Sequence, residues 1–400
     1  MLFEVNRLVL VHTEDSGNLS AHSPNLPLDT RILTAILSKD SKDTTYKYAL
    51  LRAMVQCVME QNPHKKVRDD GWVSYPFGLL IYFWLLYYYP IFSSRIFIPQ
   101  KNGETPELRH GQTIAFRREF NTVIDFYRHK GDLPFFRYQL IHDQIPKEIS
   151  DAVLELIRKV QYIIKVNPMQ HLGFSIANEH YSLVKYETST IRKPSYYDLI
   201  KNAGEYYIEP ELHRIIDDVG SLIIGQDSII DGWAEFTAKA SDRADGTKPV
   251  PKEKVLTILT KAVNIKRDAV KVRNVLSGMK NRDIECIWSG KRLNSDFDID
   301  HAIPYSLWQN NNLWNLVPVT SRINSRKSDK IPSPALIENS SDRIKNVWGL
   351  YQKSYGEQFE RELFEGLGTG LDNGMNDAIN AMIRKSEYLI EKRGFQKFEL

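Results

Sequence analysis

Cysteine is nearly absent from these 400 residues, which contain only Cys57 and Cys286. Two thiols so far apart argue against a disulfide framework, exclude a four-cysteine zinc site and fit a reducing compartment. An excess of charge of one sign is missing as well, because 53 Lys and Arg face 50 Asp and Glu for a net charge of +3. The chain is therefore not a histone-like polycation, and any nucleic-acid surface has to be local. No internal repeat or low-complexity tract is present. The N-terminus carries an early acid, Glu4, and no long apolar run leading to a small-residue cleavage site. That pattern argues against secretion and predicts a cytoplasmic protein.

A long uninterrupted apolar run is also lacking. Gly71 to Ser94 holds no charged side chain, but Pro76 and Pro90 bracket its apolar part. The remaining stretch of about a dozen residues is short for a membrane span and suits a helix buried in a soluble core. No membrane association is expected.

What is present is ordinary globular material, 42% hydrophobic and 26% charged, enough for two or three domains. Phe3 to Val11 reads as a strand and Asp15 to Pro27 as a loop. Helical spacing of apolar residues recurs over Tyr46 to Met59, Thr113 to Arg128 and Ile149 to Ile164. Gln170 to Tyr186 suggests a hairpin, and helical patterns return from Tyr196 to about Ala240. Ser241 to Pro249 reads as an exposed linker, with helices following over Lys252 to Val263 and around Val272 to Met279. Val347, Tyr351, Tyr355, Phe359 and Leu363 step by four, which predicts one long amphipathic helix, and another runs from Met375 to Lys392. The expected fold is mainly α with some β. Its divisions are a mainly helical unit at 1–165, a hairpin and helical connection at 166–245, a compact module with lead-in helices at 246–340, and closing helices at 341–400.

The chemistry is concentrated in that third division. It reads Cys286-Ile287-Trp288-Ser289-Gly290-Lys291, then Asp298-Ile299-Asp300-His301, then Asn315, and ends Asn324-Ser325-Arg326-Lys327-Ser328-Asp329. Hydrolysing a phosphodiester needs an activated water, a cation to neutralise phosphate charge, and a rigid frame. Asp300 offers a hard anionic oxygen and Asn324 a neutral carbonyl oxygen, a pair suited to Mg²⁺ or Mn²⁺. His301, next to Asp300 on an extended segment, points to the opposite face and is placed to deprotonate water. Taken singly, Asn315 reads equally as a turn residue and Asn324 as a helix cap. Asp298 reads either as a partner orienting a ligand or as a solvent-facing strand residue, and stays outside the metal set.

Asp298-Ile299-Asp300-His301, Asn315 fourteen positions beyond His301, and Asn324 nine further on resemble the HNH endonuclease module. The trailing Asn324-x-x-Lys327-Ser328-Asp329 with Pro332 is similar to the branch found in RNA-guided CRISPR nucleases, and flanking segments resemble stand-alone bacterial restriction and defence HNH proteins. The resemblance implies a C-terminal ββα-metal module flanked by helices, with His301 as general base and Asp300 and Asn324 as metal ligands. It implies that Asn315 holds the hairpin loop through backbone hydrogen bonds, and that each module cuts one strand. Many such modules carry paired C-x-x-C zinc staples, whereas Ser289 stands at the position of the partner to Cys286. A structural zinc is therefore not expected, and packing around Trp288, Phe297, Leu307, Trp308 and Trp314 has to take its place.

Lys248 to Arg292 holds twelve Lys or Arg against four Asp or Glu, and Arg322, Arg326, Lys327 and Lys330 follow. Such a face favours phosphate backbones, although a solvated helix face would look the same. Lys327 and Arg326 are the candidate phosphate contacts, weighed against ordinary solvated charge. The expected function is a metal-dependent endonuclease acting on DNA in bacterial restriction or anti-phage defence. A second reading makes the chain a nuclease subunit with protein or guide-RNA partners, activated by a guide or sensor. A third, of another class, is a nucleic-acid-binding scaffold without catalysis.

Overall fold

The computed structural model describes residues 43–107, 112–171, 183–224, 229–244, 248–261, 269–277, 284–293, 297–305, 310–369 and 374–400. The expected strand at Phe3 to Val11 and loop at Asp15 to Pro27 lie outside them.

Tyr46–Met59 forms helix α1, as its spacing predicts, and lays ten residues including Leu50, Met54 and Val58 into the core. Strands β1 (Lys66–Val67) and β2 (Val73–Pro76) follow, and β2 feeds directly into α2 (Phe77–Phe92). Every residue of α2 but Leu86 and Pro90 is buried, so the uncharged run is the central helix of a core. It is apolar all round because neighbours surround it. Pro90 sits inside its last turn rather than ending it. Among the described residues no helix is long and apolar enough to cross a membrane.

Around α2 pack α3 (Arg117–Tyr127), α4 (Asp132–Ile141) and α5 (Lys147–Val166). Most of the hairpin expected over Gln170 to Tyr186 lies outside the described residues, and its last residues belong to strand β3 (Val184–Thr188). Strand β3 pairs with β4 (Gly204–Ile208), beyond α6 (Tyr196–Asn202), and β4 pairs in turn with β2. The result is an antiparallel four-stranded sheet in the order β1-β2-β4-β3. Helices α7 (Pro210–Ile224), α8 (Ile229–Asp242) and α9 (Lys252–Thr260) complete this body. Its single apolar cluster runs from Tyr46 to Leu259 and includes residues on both sides of position 165.

A second cluster runs from Val272 to Phe398. It starts with α10 (Ala269–Ser277) and contains a two-stranded hairpin, β5 (Asp298–His301) and β6 (Leu316–Val319), followed by helix α11 (Ser321–Lys327). Strand β7 (Ile331–Pro332) pairs in parallel with β8 (Lys397–Phe398) near the C-terminus. Between them lie α12 (Pro334–Asn339), α13 (Ser341–Tyr355), α14 (Glu357–Leu367) and α15 (Gly374–Glu387), the last continued by a π turn at Tyr388–Lys392.

The long helix expected over Val347 to Leu363 is in fact two. Gly356, at φ +50 and ψ −122, separates α13 from α14 with a conformation open mainly to glycine. The four-residue spacing survives the break because both helices bury Tyr351, Phe359 and Leu363 in the same cluster.

These helices clamp the hairpin. Trp348 Nε1 donates to the Trp314 carbonyl at 3.0 Å and Tyr351 Oη to the Leu316 carbonyl at 2.8 Å. Arg343 Nε reaches the Ile287 carbonyl at 2.7 Å, and Trp288, Phe297 and Trp314 are buried. Leu307 and Trp308 lie outside the described residues.

Candidate active site

The hairpin builds the site. In β5 and β6 the register sets Asp298 opposite Val319, Asp300 opposite Val317 and His301 opposite Leu316. Alternation along β5 puts Asp298 and Asp300 on one face and His301 on the other. Thr320 caps α11 by accepting from Ile323 N, which turns the chain straight from β6 into the helix. Asn324 and Lys327, one turn apart, then share the side of α11 that meets β5.

That contact is made of two polar pairs. Asn324 Nδ2 donates to Asp298 Oδ2 at 3.0 Å, leaving Oδ1 as its acceptor atom. Lys327 Nζ lies 3.0 Å from Asp300 Oδ2 and donates to the His301 carbonyl at 2.7 Å. Lys327 is thus fully buried and turned toward the hairpin, while Arg326 beside it is exposed. As it stands, the ammonium serves the strand and not the surface. Burial pushes the Asp300 carboxyl up and the Lys327 ammonium down, and their mutual attraction opposes both shifts.

Asn315 is wholly buried at the end of a 3-10 turn, Leu313–Asn315. Its Oδ1 accepts from Ile303 N at 2.7 Å, and its Nδ2 donates to the carbonyls of Ile303 at 2.9 Å and Asn310 at 3.2 Å. The Asn315 carbonyl also accepts from Ala302 N at 2.8 Å. One side chain therefore pins both limbs of the loop that follows His301.

The His301 ring is buried, with Nε2 at 2.9 Å from Asn311 Oδ1 and the Tyr305 ring 5.4 Å away. An amide oxygen only accepts, so Nε2 carries the hydrogen and Nδ1 is left as the basic nitrogen. Asn311 has no signature in the sequence, being the middle of three consecutive asparagines, and Glu362 has none either. This α14 carboxylate accepts from Leu313 N at 2.5 Å and from Gln358 Nε2 at 2.9 Å, and meets His142 Nε2 of the first body at 3.1 Å.

The cysteine turn is closed by backbone. Cys286 N donates to the Lys291 carbonyl and Gly290 N to the Cys286 carbonyl, both at 2.8 Å, while Ile287 N joins the turn to Pro318 at 3.0 Å. Within the basic stretch, Lys252 is paired with Asp231 at 2.8 Å and Arg273 donates to the Phe297 carbonyl at 2.7 Å. Lys266, Arg267, Lys280 and Arg282 lie outside the described residues.

Among the described residues no three His, Cys, Asp or Glu side chains cluster as a metal cage. A cation here has to be held by a mixed carboxylate and amide set, completed by water and phosphate, as Mg²⁺ tolerates. Asp300 Oδ2 fits that role. It is a buried anionic oxygen that receives no hydrogen bond of good geometry among the described residues, with the Lys327 ammonium 3.0 Å away.

Comparison with known proteins divides the chain at the same place as its two cores. Residues 26–259 match the family described as Domain of unknown function (DUF8808), and residues 286–333 match the HNH endonuclease family. No curated protein and no solved structure matches the chain. The second match contains the whole hairpin and α11, which supports a nuclease.

Proposed function

Because the chain belongs to the family described as Domain of unknown function (DUF8808) and carries an HNH endonuclease module behind that domain, we propose that it is a divalent-metal-dependent endonuclease. Its substrate in this reading is DNA, and its setting is bacterial restriction or anti-phage defence. The observation that carries it is the gathering of Asp300, His301, Asn315 and Asn324 in one ββα unit.

Asp300 and Asn324 would hold Mg²⁺ or Mn²⁺, which when bound neutralises charge on the phosphate and the leaving oxygen. His301 takes a proton from water at Nδ1, oriented by the Asn311 bond at Nε2. Asn315 keeps the loop rigid through its three side-chain hydrogen bonds. Arg326 is the exposed candidate for the phosphate backbone. Lys327 would first have to leave Asp300 to contribute there.

Purified protein with Mg²⁺ or Mn²⁺ should nick plasmid DNA or cut single-stranded DNA. Chelation should stop it, and His301→Ala should slow it by about a hundredfold or more, as loss of a general base does. Intact DNA under all these conditions, in wild type and variant alike, would falsify unaided nuclease activity.

A second reading, a nuclease subunit switched on by a guide-bearing or sensor partner, draws on the Glu362 link between the first body and the hairpin turn. Cleavage that appears only when a partner is added supports it. Full activity of the isolated chain removes it.

A further inference from the structure

Between the two bodies lies a cavity of about 350 Å³, within the lower range of small-molecule sites. Arg52 and Tyr87 line it from α1 and α2, and Arg137 from α4. Glu365, Lys385 and Asn310 line it from the other body. Four cationic side chains, including Lys261, face two acidic ones, Glu60 and Glu365.

The acids do not answer all the cations. Arg137 donates to Glu365 at 3.2 Å and to Tyr82 Oη at 2.7 Å, and Lys385 donates to the Glu60 carbonyl at 3.3 Å. Arg52 is different. Its Nη2 is held by the Leu259 carbonyl at 2.9 Å and its guanidinium lies 4.0 Å from the Tyr87 ring centre. Its buried Nη1 has no hydrogen-bond partner among the described residues. Burial also raises the Glu60 carboxyl, weakening that acid as a counter-charge. A cavity with surplus cations, a guanidinium short of an acceptor, and Tyr82, Phe83 and Tyr87 in its wall suits an anion joined to a flat ring.

The same wall touches the hairpin loop. Glu365 accepts from Asn312 Nδ2 at 2.6 Å, and the Asn310 carbonyl accepts from Asn315 Nδ2 at 3.2 Å. Asn311, between them, orients His301. An anion drawn to Arg137 would compete with Glu365 and alter its hold on Asn312.

We propose that this cavity binds a small phosphorylated ligand with a planar ring, of mononucleotide size, and that the loop at 310–315 responds to its occupancy. The binding half of this stands apart from the nuclease reading, because it is measured without cleavage. Calorimetry on the full chain in EDTA should show AMP binding at least about tenfold more tightly than adenosine or inorganic phosphate. Arg52→Gln should weaken AMP by about tenfold, with Arg52→Lys restoring part of the loss. Lys261→Gln, at an exposed position, should weaken it less. Hydrogen exchange at 310–315 should change when AMP binds. Absence of binding at millimolar AMP overturns the site, as does affinity equal in wild type, Arg52→Gln and Lys261→Gln. Phosphate binding as tightly as AMP overturns the ring assignment. Exchange at 310–315 unchanged on binding overturns the coupling.

Discussion

His64 and His213 are partly buried in the first body, and this burial is the larger cause that holds both below the ordinary imidazole range, His64 at about 3 and His213 at about 4. Neighbouring lysines push the same way, Lys201 and Lys385 for His64 and Lys65 for His213. The unfolded chain therefore binds protons near pH 6.5 that the folded chain refuses. Stability is whole above that pH and falls as pH drops toward 4, at about 1.4 kcal/mol per pH unit for each histidine once the unfolded form is protonated. Glu60 and Asp300, whose carboxyls burial raises, act in the opposite sense, so the histidine share has to be read by difference. Thermal unfolding of wild type and His64→Phe between pH 7 and 4.5 gives that difference. The variant keeps a ring against Phe364, 4.6 Å from His64, and should lose less stability on acidification. Parallel curves would show that His64 does not titrate this way. At this scale the sequence was most readable where chemistry is local. Asp300, His301, Asn315 and Asn324 fall within one short segment, so their spacing alone carries the pattern. Asn311 and Glu362 were not readable, because an asparagine among asparagines has no signature and Glu362 meets the loop only through the tertiary fold. Nor was the burial of Lys327, which depends on how α11 docks on β5.

Elements followed their periodicity where one face is buried. Helix α1 has the predicted ends, and α5 extends slightly beyond the predicted ones. The all-round apolar α2 had no amphipathic stripe to read, and its length identified it as a core helix. Strand pairings were not legible, since β3 joins β4 across a helix and β4 joins β2 across more than a hundred residues. The break at Gly356 was hidden because glycine does not by itself end a helical pattern. One glycine in α2 tests how closely the elements must approach. A Cβ on Gly78 would sit 2.0 Å from the Leu199 carbonyl oxygen, in the backbone of α6. That atom cannot rotate away, so α6 would have to shift against both α2 and the sheet. Gly78→Ala should cost about 3 kcal/mol or more, the upper range for overpacking a core, read as a lower denaturation midpoint. A change within about 0.5 kcal/mol, typical of surface sites, would mean that α2 and α6 are not so closely packed.

Across the whole molecule, α14 is the bridge. Glu362 and Glu365 lie three residues apart on one side of it, and each joins an α4 or α4-end residue to the hairpin turn. Glu362 links His142 to Leu313 N, and Glu365 links Arg137 to Asn312. The turn they hold contains Asn311 and ends at Asn315, so hydrogen bonds connect the first body to the loop that orients the proposed base. Glu362 thereby acts as a positioning residue, several bonds away from His301. Glu362→Gln keeps an oxygen for Leu313 N, whereas Glu362→Ala keeps none and leaves a buried N–H without an acceptor. If the link positions the loop, Glu362→Ala should lower the single-turnover cleavage rate by about tenfold or more, the range for residues that orient a ligand. KM for DNA should be unchanged, and Glu362→Gln should recover most of the rate. Equal rates in both variants, or a loss that follows their melting temperatures instead of the retained oxygen, would reduce Glu362 to a packing contact between the bodies.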